Sequence, residues 1–229
     1  MIDVAERIDE VRAQMDAACA DAGRDPSEVR LLAVTKTRPA QTVREAYAVG
    51  CRWFGENRLQ ELRDKAGELS DLVDVSWSVI GHVQRNKAGV VADLAAELQS
   101  LDSLELAADL DRRLETAGRT LDVLVQVNTS GEATKSGLTP DDVDAFTLAL
   151  RSHRRLVPMG LMTIALPSDD DREVAACFDQ LAAVRDRLRH RDGGGWHDLS
   201  MGMSGDFQLA IAHGSTCVRI GSALFGPRD

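Results

Sequence analysis

The segment that decides the fold is residues 30–54, RLLAVTKTRPAQTVREAYAVGCRWF. Residues 30–35 form a short apolar run rich in branched side chains, which is typical of a buried strand, and Pro39 ends it. Residues 40–49 follow with a helical pattern, and residues 51–54 begin the next strand. A strand, a helix and a second strand in close succession are the repeating unit of α/β proteins with a parallel sheet.

The same alternation continues outward from this unit. Further strands are predicted at residues 77–80, 98–101, 121–127, 156–163, 197–200 and 217–220. Helices are predicted between them at residues 57–69, 84–98, 103–117, 140–151, 171–190 and 205–213. On the amino-terminal side, Val4, Ile8, Val11 and Met15 recur at steps of three and four, which predicts an amphipathic helix before the first strand.

Eight short strands that are each followed by a helix favour a closed parallel barrel over an open doubly wound sheet. The sequence therefore predicts an α/β fold, a (βα)8 TIM-type barrel that forms a single domain over residues 1–229. Residues 1–25 add an extra N-terminal helix packed on the barrel. Three glycines at residues 193–195 are interpreted as a loop before the seventh strand and not as a linker between domains.

Length and charge narrow the class of protein. A chain of 229 residues fits one such barrel, and 27 basic against 37 acidic residues give a net charge of −10, which argues against nucleic-acid binding. No apolar run reaches the roughly 18 residues of a membrane span. An acidic start at Asp3 is unlike a secretory signal, so we expect a cytoplasmic location. The four cysteines lack metal-ligand or redox spacing, and we expect them reduced and mostly buried.

Polar residues follow every predicted strand at its carboxyl end, where barrels of this kind carry their chemistry. They occupy residues 35–37, 55–57, 81–82, 102–103, 128–130, 162–163, 200–206 and 219–222. Loops contain polar residues for many reasons, but eight such groups at one mouth predict a functional site there.

Lys36 stands directly at the end of the apolar first strand, so its ammonium would point into the barrel mouth. Partial desolvation there lowers the pKa of a lysine and frees the amine to attack a carbonyl. A rim ion pair with Glu56 or Asp102 is the alternative, and the sequence leaves both open.

The ends of strands seven and eight combine glycines with hydroxyl side chains around one point. The residues are Ser200, Gly202, Ser204, Gly205, Gly221 and Ser222. Backbone N–H groups and hydroxyls at these two loops, with the N-terminus of a short helix, are where barrels commonly bind phosphate. Glycines that only form turns, with Ser204 as a helix N-cap, are the alternative.

A nucleophilic lysine opposite a phosphate cradle is the layout that a pyridoxal 5′-phosphate (PLP) site would use. Arg219 would then lie near the ring nitrogen. A fixed cation there opposes protonation of the pyridine and weakens it as an electron sink, which favours limited chemistry. A salt bridge of Arg219 inside the barrel is the other interpretation.

Five ordered segments resemble the signature segments of the pyridoxal phosphate homeostasis protein family. They are residues 33–37 (AVTKT), 54–60 (FGENRLQ), 80–87 (IGHVQRNK), 199–206 (LSMGMSGD) and 214–222 (GSTCVRIGS). The resemblance runs from about residue 30 to residue 228. Gln99 stands where many members carry histidine, and we expect this departure to affect only a peripheral contact.

The resemblance implies a fold-type III PLP barrel, like the N-terminal domain of alanine racemase, with PLP held as an internal aldimine on Lys36. It assigns the phosphate to Ser200, Gly202, Gly221 and Ser222, the pyridine nitrogen to Arg219, one side of the ring to Asn57, and positions at the mouth to His82 and Met162. It also implies a carrier or buffer in vitamin B6 homeostasis without an established reaction, so not an enzyme. Expected partners are PLP and apo PLP-dependent enzymes, and the protein is expected to be a monomer.

Two other functions stay open. One is a PLP enzyme of narrow scope, such as an amino-acid racemase or lyase, with His82 or a cysteine as its second base. The related racemase takes a tyrosine for this purpose from an additional domain, whereas Tyr47, the one tyrosine here, falls in a helix not aimed at the mouth. The other is a class I aldolase-like barrel that uses Lys36 on a sugar phosphate without PLP.

Overall fold

The computed structural model describes residues 3–132 and 135–227, and its eight parallel strands close into a barrel in sequence order, with β1 paired to β8. The strands are β1 Arg30–Val34, β2 Trp53–Glu56, β3 Ser76–Val79, β4 Glu97–Leu101, β5 Leu121–Gln126, β6 Leu156–Met162, β7 Asp198–Ser200 and β8 Cys217–Ile220. The predicted (βα)8 barrel is confirmed.

Helices alternate with the strands on the outside of the barrel. They are α1 Val4–Asp21, α2 Ala40–Ala48, α3 Leu59–Glu68, α4 Ala88–Leu94, α5 Leu104–Ala117, α6 Val143–Leu150, α7 Asp171–Asp192, α8 Phe207–Ala212 and α9 Ser222–Phe225, with short 3-10 helices at Pro26–Glu28 and Arg85–Lys87. In the part of the chain that the structure describes, none of the helices combines the length and the apolar character that crossing a membrane requires.

The predicted N-terminal helix is confirmed as α1. Its buried residues Ile8, Val11, Met15 and Cys19 follow the helical period of three and four, so they form one apolar face. That face packs on α2, α8 and α9, beside the junction between the first and last strands. The helix therefore covers the outside of the barrel where the sheet closes.

The predicted helical stretch over residues 84–98 is confirmed as far as Leu94, and its end at Leu98 is wrong. A 3-10 turn leads into α4, which ends at Leu94, and Glu97 already begins β4. Ala95 is extended, and the backbone N–H of Ala96 donates to Trp77 O at 2.9 Å. The short, mostly apolar stretch at residues 94–98 suits the end of a helix or the start of a strand equally well. Hydrogen bonds to β3 favour the strand.

The four cysteines are confirmed as buried free thiols. Cys19 lies on the buried face of α1, Cys51 precedes β2, Cys177 is on the inner face of α7 and Cys217 begins β8 inside the barrel. Their positions are those of small apolar core residues.

Candidate functional site

A cavity of about 350 Å³ opens at the carboxyl ends of the strands. Its lining residues are Val34, Lys36, Arg38, Asn57, Ile80, Ile164, Met203, Ser204, Gly205, Arg219, Gly221, Ser222 and Gly226. Five of the nine predicted site residues therefore meet here, namely Lys36, Asn57, Arg219, Gly221 and Ser222. They come from the ends of three strands, β1, β2 and β8, because every strand of a parallel barrel ends at the same mouth.

Lys36 follows β1 and is partly buried, beside a buried polar pair. Glu56 Oε1 accepts hydrogen bonds from Lys65 Nζ and Thr35 Oγ1, both at 2.6 Å, and Lys65 also donates to Thr35 O at 2.7 Å. Burial raises the pKa of Glu56, while Lys65 and Thr35 act in the opposite direction. Lys65, which the sequence did not single out, thus holds Glu56 against Thr35, the residue that directly precedes Lys36.

Arg219 forms part of the cavity floor. Its Nη1 donates to Ser200 Oγ and its Nη2 to Thr163 O, each at 2.7 Å, and only 5% of the residue is exposed. Burial lowers the pKa of Arg219, but a guanidinium remains protonated in proteins. The alternative of a salt bridge inside the barrel is not realised, since Arg219 pairs with no carboxylate of residues 3–132 or 135–227.

Gln99 lies at the centre of the barrel, and the expectation of a peripheral contact is wrong. Ser200 Oγ donates to Gln99 Oε1 at 2.7 Å, and Gln99 Nε2 donates to Glu97 Oε1 at 2.6 Å. Glu97 Oε2 accepts from Arg30 Nη2 at 2.8 Å. A continuous hydrogen-bonded chain therefore runs from Arg30, at the amino end of β1, to Arg219 in the cavity floor.

Ser204 lines the cavity on the side of strands seven and eight. Its Oγ accepts from the backbone N–H of Gly221 at 3.3 Å and from that of Ala223 at 3.2 Å. This hydroxyl joins the loop after β7 to the first turn of α9, and so it caps α9 and not the helix that follows it in sequence. Backbone donors and hydroxyls are gathered here in the way that an anion site requires.

Four predicted site residues lie outside the lining of this cavity. Ser200 is fully buried beneath the floor with its hydroxyl engaged by Gln99 and Arg219, and Met162 is also fully buried. Gly202 is packed against α8. The side chain of His82 is 59% exposed and lies 3.8 Å from Asp102. Strand side chains alternate in direction, so proximity to a strand end does not by itself place a side chain at the mouth.

Sequence reasoning assigned no role to Arg38, and it named Ser204 only as one of the hydroxyls near strands seven and eight or as a helix N-cap. Ser204 stands between two glycines after the seventh strand, and that pattern is its only signal in the sequence. Arg38 Nη2 donates to Gly226 O at 2.7 Å and to Pro227 O at 2.6 Å. These bonds hold the end of the described chain against the mouth. They join segments far apart in the sequence, so no local sequence pattern predicts them.

Ionisable groups in the lining are all basic. Among the described lining residues they are Lys36, Arg38 and Arg219, with no Asp, Glu, His, Cys or Tyr. Tyr47 lies on α2, where its hydroxyl donates to Asp74, and this confirms that it is not aimed at the mouth. Among the described lining residues, the cavity therefore carries one primary amine, Lys36, and no carboxylate, imidazole, thiol or phenol opposite it.

Comparison with known proteins identifies the family to which this chain belongs. The family described as "Alanine racemase, N-terminal domain" matches residues 7–229. Two curated relatives are called pyridoxal phosphate homeostasis protein. The one from Pseudomonas aeruginosa is 44% identical, over 100% of this chain and 97% of that protein. The one from Escherichia coli K12 is 38% identical, over 100% of this chain and 98% of that protein. The chain belongs to the pyridoxal phosphate homeostasis protein family.

Solved structures agree with this assignment. PipY of Synechococcus elongatus PCC7942, whose structure is described with PLP bound, superposes with a TM-score of 0.86 at 37% identity, covering 97% of this chain and 100% of PipY. Alanine racemase of Clostridium difficile 630 superposes with a TM-score of 0.75 at 14% identity, covering 96% of this chain and 57% of the racemase. At that identity the racemase shares the fold alone.

Proposed function

We propose that this protein binds PLP in the cavity at the barrel mouth, with Lys36 forming a Schiff base to the aldehyde, and that it serves as an intracellular PLP carrier. The observation that carries the proposal is the meeting of Lys36, Arg219 and the group formed by Ser204 and Gly221 in one cavity of about 350 Å³. That volume lies in the range of small-molecule sites.

The lining residues fit the chemistry of PLP. An amine is required for the aldehyde, and Lys36 is the lining residue that supplies one. Donors are required for the phosphate. Ser204 and Ser222 supply hydroxyls, and the backbone N–H of Gly221, which donates to Ser204 Oγ at 3.3 Å in this structure, would turn to the phosphate when it is bound. Gly221 and Ser222 are two of the four residues that the resemblance assigned. Asn57 follows β2, the neighbour of β1 on the side away from β8, and lines the cavity there. PipY, a family relative, is described with PLP bound.

Arg219 would face the ring nitrogen as a permanent cation. PLP supplies an electron sink when its pyridine is protonated. A buried guanidinium, fixed by Ser200 and Thr163, disfavours a second positive charge beside it. The protein would therefore hold PLP in its less reactive form.

A carrier suits this cavity better than an enzyme does. Racemisation or elimination at a substrate α-carbon needs a second group to take or give a proton. His82 is exposed outside the cavity, the cysteines are buried elsewhere, and Tyr47 is committed to Asp74. Ile164 and Met203 on the rim are 38% and 39% exposed, so water reaches the mouth. Open access favours exchange of PLP with apo-enzymes, which we propose as partners of a monomeric, cytoplasmic protein.

Covalent trapping tests the cofactor proposal. The sequence contains four lysines, Lys36, Lys65, Lys87 and Lys135. We expect a yellow absorption band with PLP, borohydride reduction that fixes one pyridoxyl group, and a peptide map that places it on Lys36. Lys36→Ala should lose the label, whereas the exposed Lys87→Ala and the loop variant Lys135→Ala should keep it. A colourless protein that takes up no added PLP would refute the proposal.

Turnover separates the carrier from the enzyme. We expect the loaded protein to restore activity to an apo PLP enzyme and to exchange no α-proton of L-alanine in D₂O. Steady α-proton exchange that Lys36→Ala abolishes would contradict the carrier role and favour an enzyme of narrow scope.

A further inference from the structure

A second cleft, of about 630 Å³, lies beside the cofactor cavity, on the outside of the barrel between α3, α4 and α5. Asn57 lines both. The motif at residues 80–87, IGHVQRNK, contributes only Ile80 to the cavity, whereas His82, Gln84, Asn86 and Lys87 line the cleft. The proposed cofactor site therefore leaves most of this motif without a role.

Positive charge is concentrated in the cleft. Four of its lining residues are basic, Arg58, Arg63, Lys87 and Arg113, and Asp93 is the one acidic lining residue among those described. This composition contrasts with a chain of net charge −10. A basic cleft on an acidic protein creates a local potential that attracts anions.

Three of these basic residues have no acidic partner among the residues that the structure describes. Arg63, Lys87 and Arg113 form no salt bridge or side-chain hydrogen bond with any residue in 3–132 or 135–227, whereas most arginines of the described chain do. Arg113 reaches the cleft from α5 because Gly89 on α4 has no side chain, and a Cβ there would lie 3.0 Å from Arg113 Nη1. Side-chain amides of Gln60, Gln84 and Asn86 add neutral donors to the same surface.

We propose that this cleft is an anion site that recognises the phosphate group of incoming PLP and guides it to the cavity. The identity of the anion rests on the proposed function. A dianionic ligand is repelled by the overall charge of −10, so a basic approach surface next to the mouth accelerates its capture. Guanidinium groups are well suited to this role because they bind phosphate oxygens in pairs. Asn57 lines both the cleft and the cavity, so a ligand in the cleft lies next to the cavity mouth.

Association kinetics test the inference. Arg63→Gln/Arg113→Gln is compared with Arg154→Gln/Arg189→Gln, which removes two exposed cations at the opposite end of the barrel. Stopped-flow growth of the Schiff-base absorption follows the binding of PLP and of pyridoxal, which has the aldehyde but no phosphate. We expect the cleft variant to bind PLP about 3- to 10-fold more slowly at low salt, within the range of electrostatic steering, and to bind pyridoxal at the wild-type rate.

Salt should reduce the difference, because the Debye length falls from about 30 Å at 0.01 M to about 8 Å at 0.15 M. Equal PLP association rates for wild type and the cleft variant would overturn the inference. An equal slowing in the distal variant would also overturn it, since the effect would then reflect net charge alone.

Equilibrium dialysis with inorganic phosphate provides a readout that does not need the Schiff base. We expect wild type and the distal variant to bind more phosphate than the cleft variant does. A protein that forms no Schiff base but loses phosphate binding in the cleft variant would refute the proposed function and support an anion site. Phosphate binding that is identical in all three proteins would overturn the anion site itself.

Discussion

Arg219 donates from Nη1 to the hydroxyl of Ser200 at 2.7 Å, and this bond ties the cavity floor to the buried centre of the barrel. Ser200 in turn donates to Gln99, so its lone pairs remain available to the guanidinium. The orientation of Arg219 toward the cavity therefore depends on residues that no ligand would touch.

Gln99→Leu should disturb this arrangement. The hydroxyl of Ser200 would lose its acceptor and Glu97 would lose one donor inside the barrel, which costs about 1–3 kcal/mol of unfolding free energy. Urea unfolding measures this loss. Gln208→Leu, which removes an exposed glutamine on α8, should change stability by less than about 0.5 kcal/mol.

Gln99→His distinguishes positioning from packing. A neutral imidazole offers one donor and one acceptor, which is what the Gln99 amide uses here. We expect this variant to retain the pH dependence of the bound PLP spectrum, and Gln99→Leu to shift it. Identical spectra for both variants at every pH would show that Gln99 does not position Arg219.

Lys65→Met should destabilise the protein most at neutral pH. Removing Lys65 leaves the Glu56 carboxylate buried, and breaking one partner of such a pair costs about 3–5 kcal/mol. Lys87→Met, at an exposed lysine, should have little effect. Glu56→Gln/Lys65→Met should recover part of the loss, because no buried charge remains.

The pH dependence of Lys65→Met follows from the raised pKa of Glu56, whose cause is burial. In the folded state, the Glu56 carboxyl group keeps its proton at pH values where the same group in the unfolded chain, with an ordinary glutamate pKa of about 4.3, releases it. Stability from this group is therefore present below about pH 4.3 and is lost as pH rises through the folded pKa. The penalty should shrink near pH 4 in chemical unfolding; a penalty independent of pH would contradict this account.

Gly202→Ala should destabilise the loop after β7. Gly202 has φ +96°, and an added Cβ would lie 2.6 Å from Ala210 Cβ on α8. Strained backbone and overpacking together cost about 2–4 kcal/mol. Gly205→Ala is the matched control, because an added Cβ there meets nothing within 4 Å. Equal melting temperatures for both variants would show that the loop relaxes at no cost.

The cysteines should be unreactive in the folded protein. Burial raises the pKa of both Cys51 and Cys217, so neither is a thiolate near neutral pH. We expect no reaction with DTNB (5,5′-dithiobis(2-nitrobenzoic acid)) in buffer and four thiols in denaturant. Ser70→Cys, at an exposed position, should add one thiol that reacts at once. Rapid labelling of the wild type would contradict the buried positions.

The sequence predicted a set of residues near the barrel mouth, but it predicted less well which of these residues line the cavity. Lys36, Asn57, Arg219, Gly221 and Ser222 were correctly expected to lie close together, because a parallel barrel brings all carboxyl ends to one side. Ser200 was chosen where Ser204 lines the cavity. Ser200 ends β7 and Ser204 lies in the glycine-rich loop that follows, and only the path of that loop decides which hydroxyl reaches the cavity.

The sequence by itself determined the closed barrel, the helix that precedes it and the candidate lysine. These follow from local periodicity and from short connections, which act between neighbours in the chain. Only the tertiary structure decided that Gln99 connects Ser200 to Glu97, that Lys65 holds Glu56, and that Arg63, Lys87 and Arg113 share one cleft. Such contacts join strands and helices far apart in sequence, and their side chains are placed by packing and hydrogen bonding that no local pattern encodes.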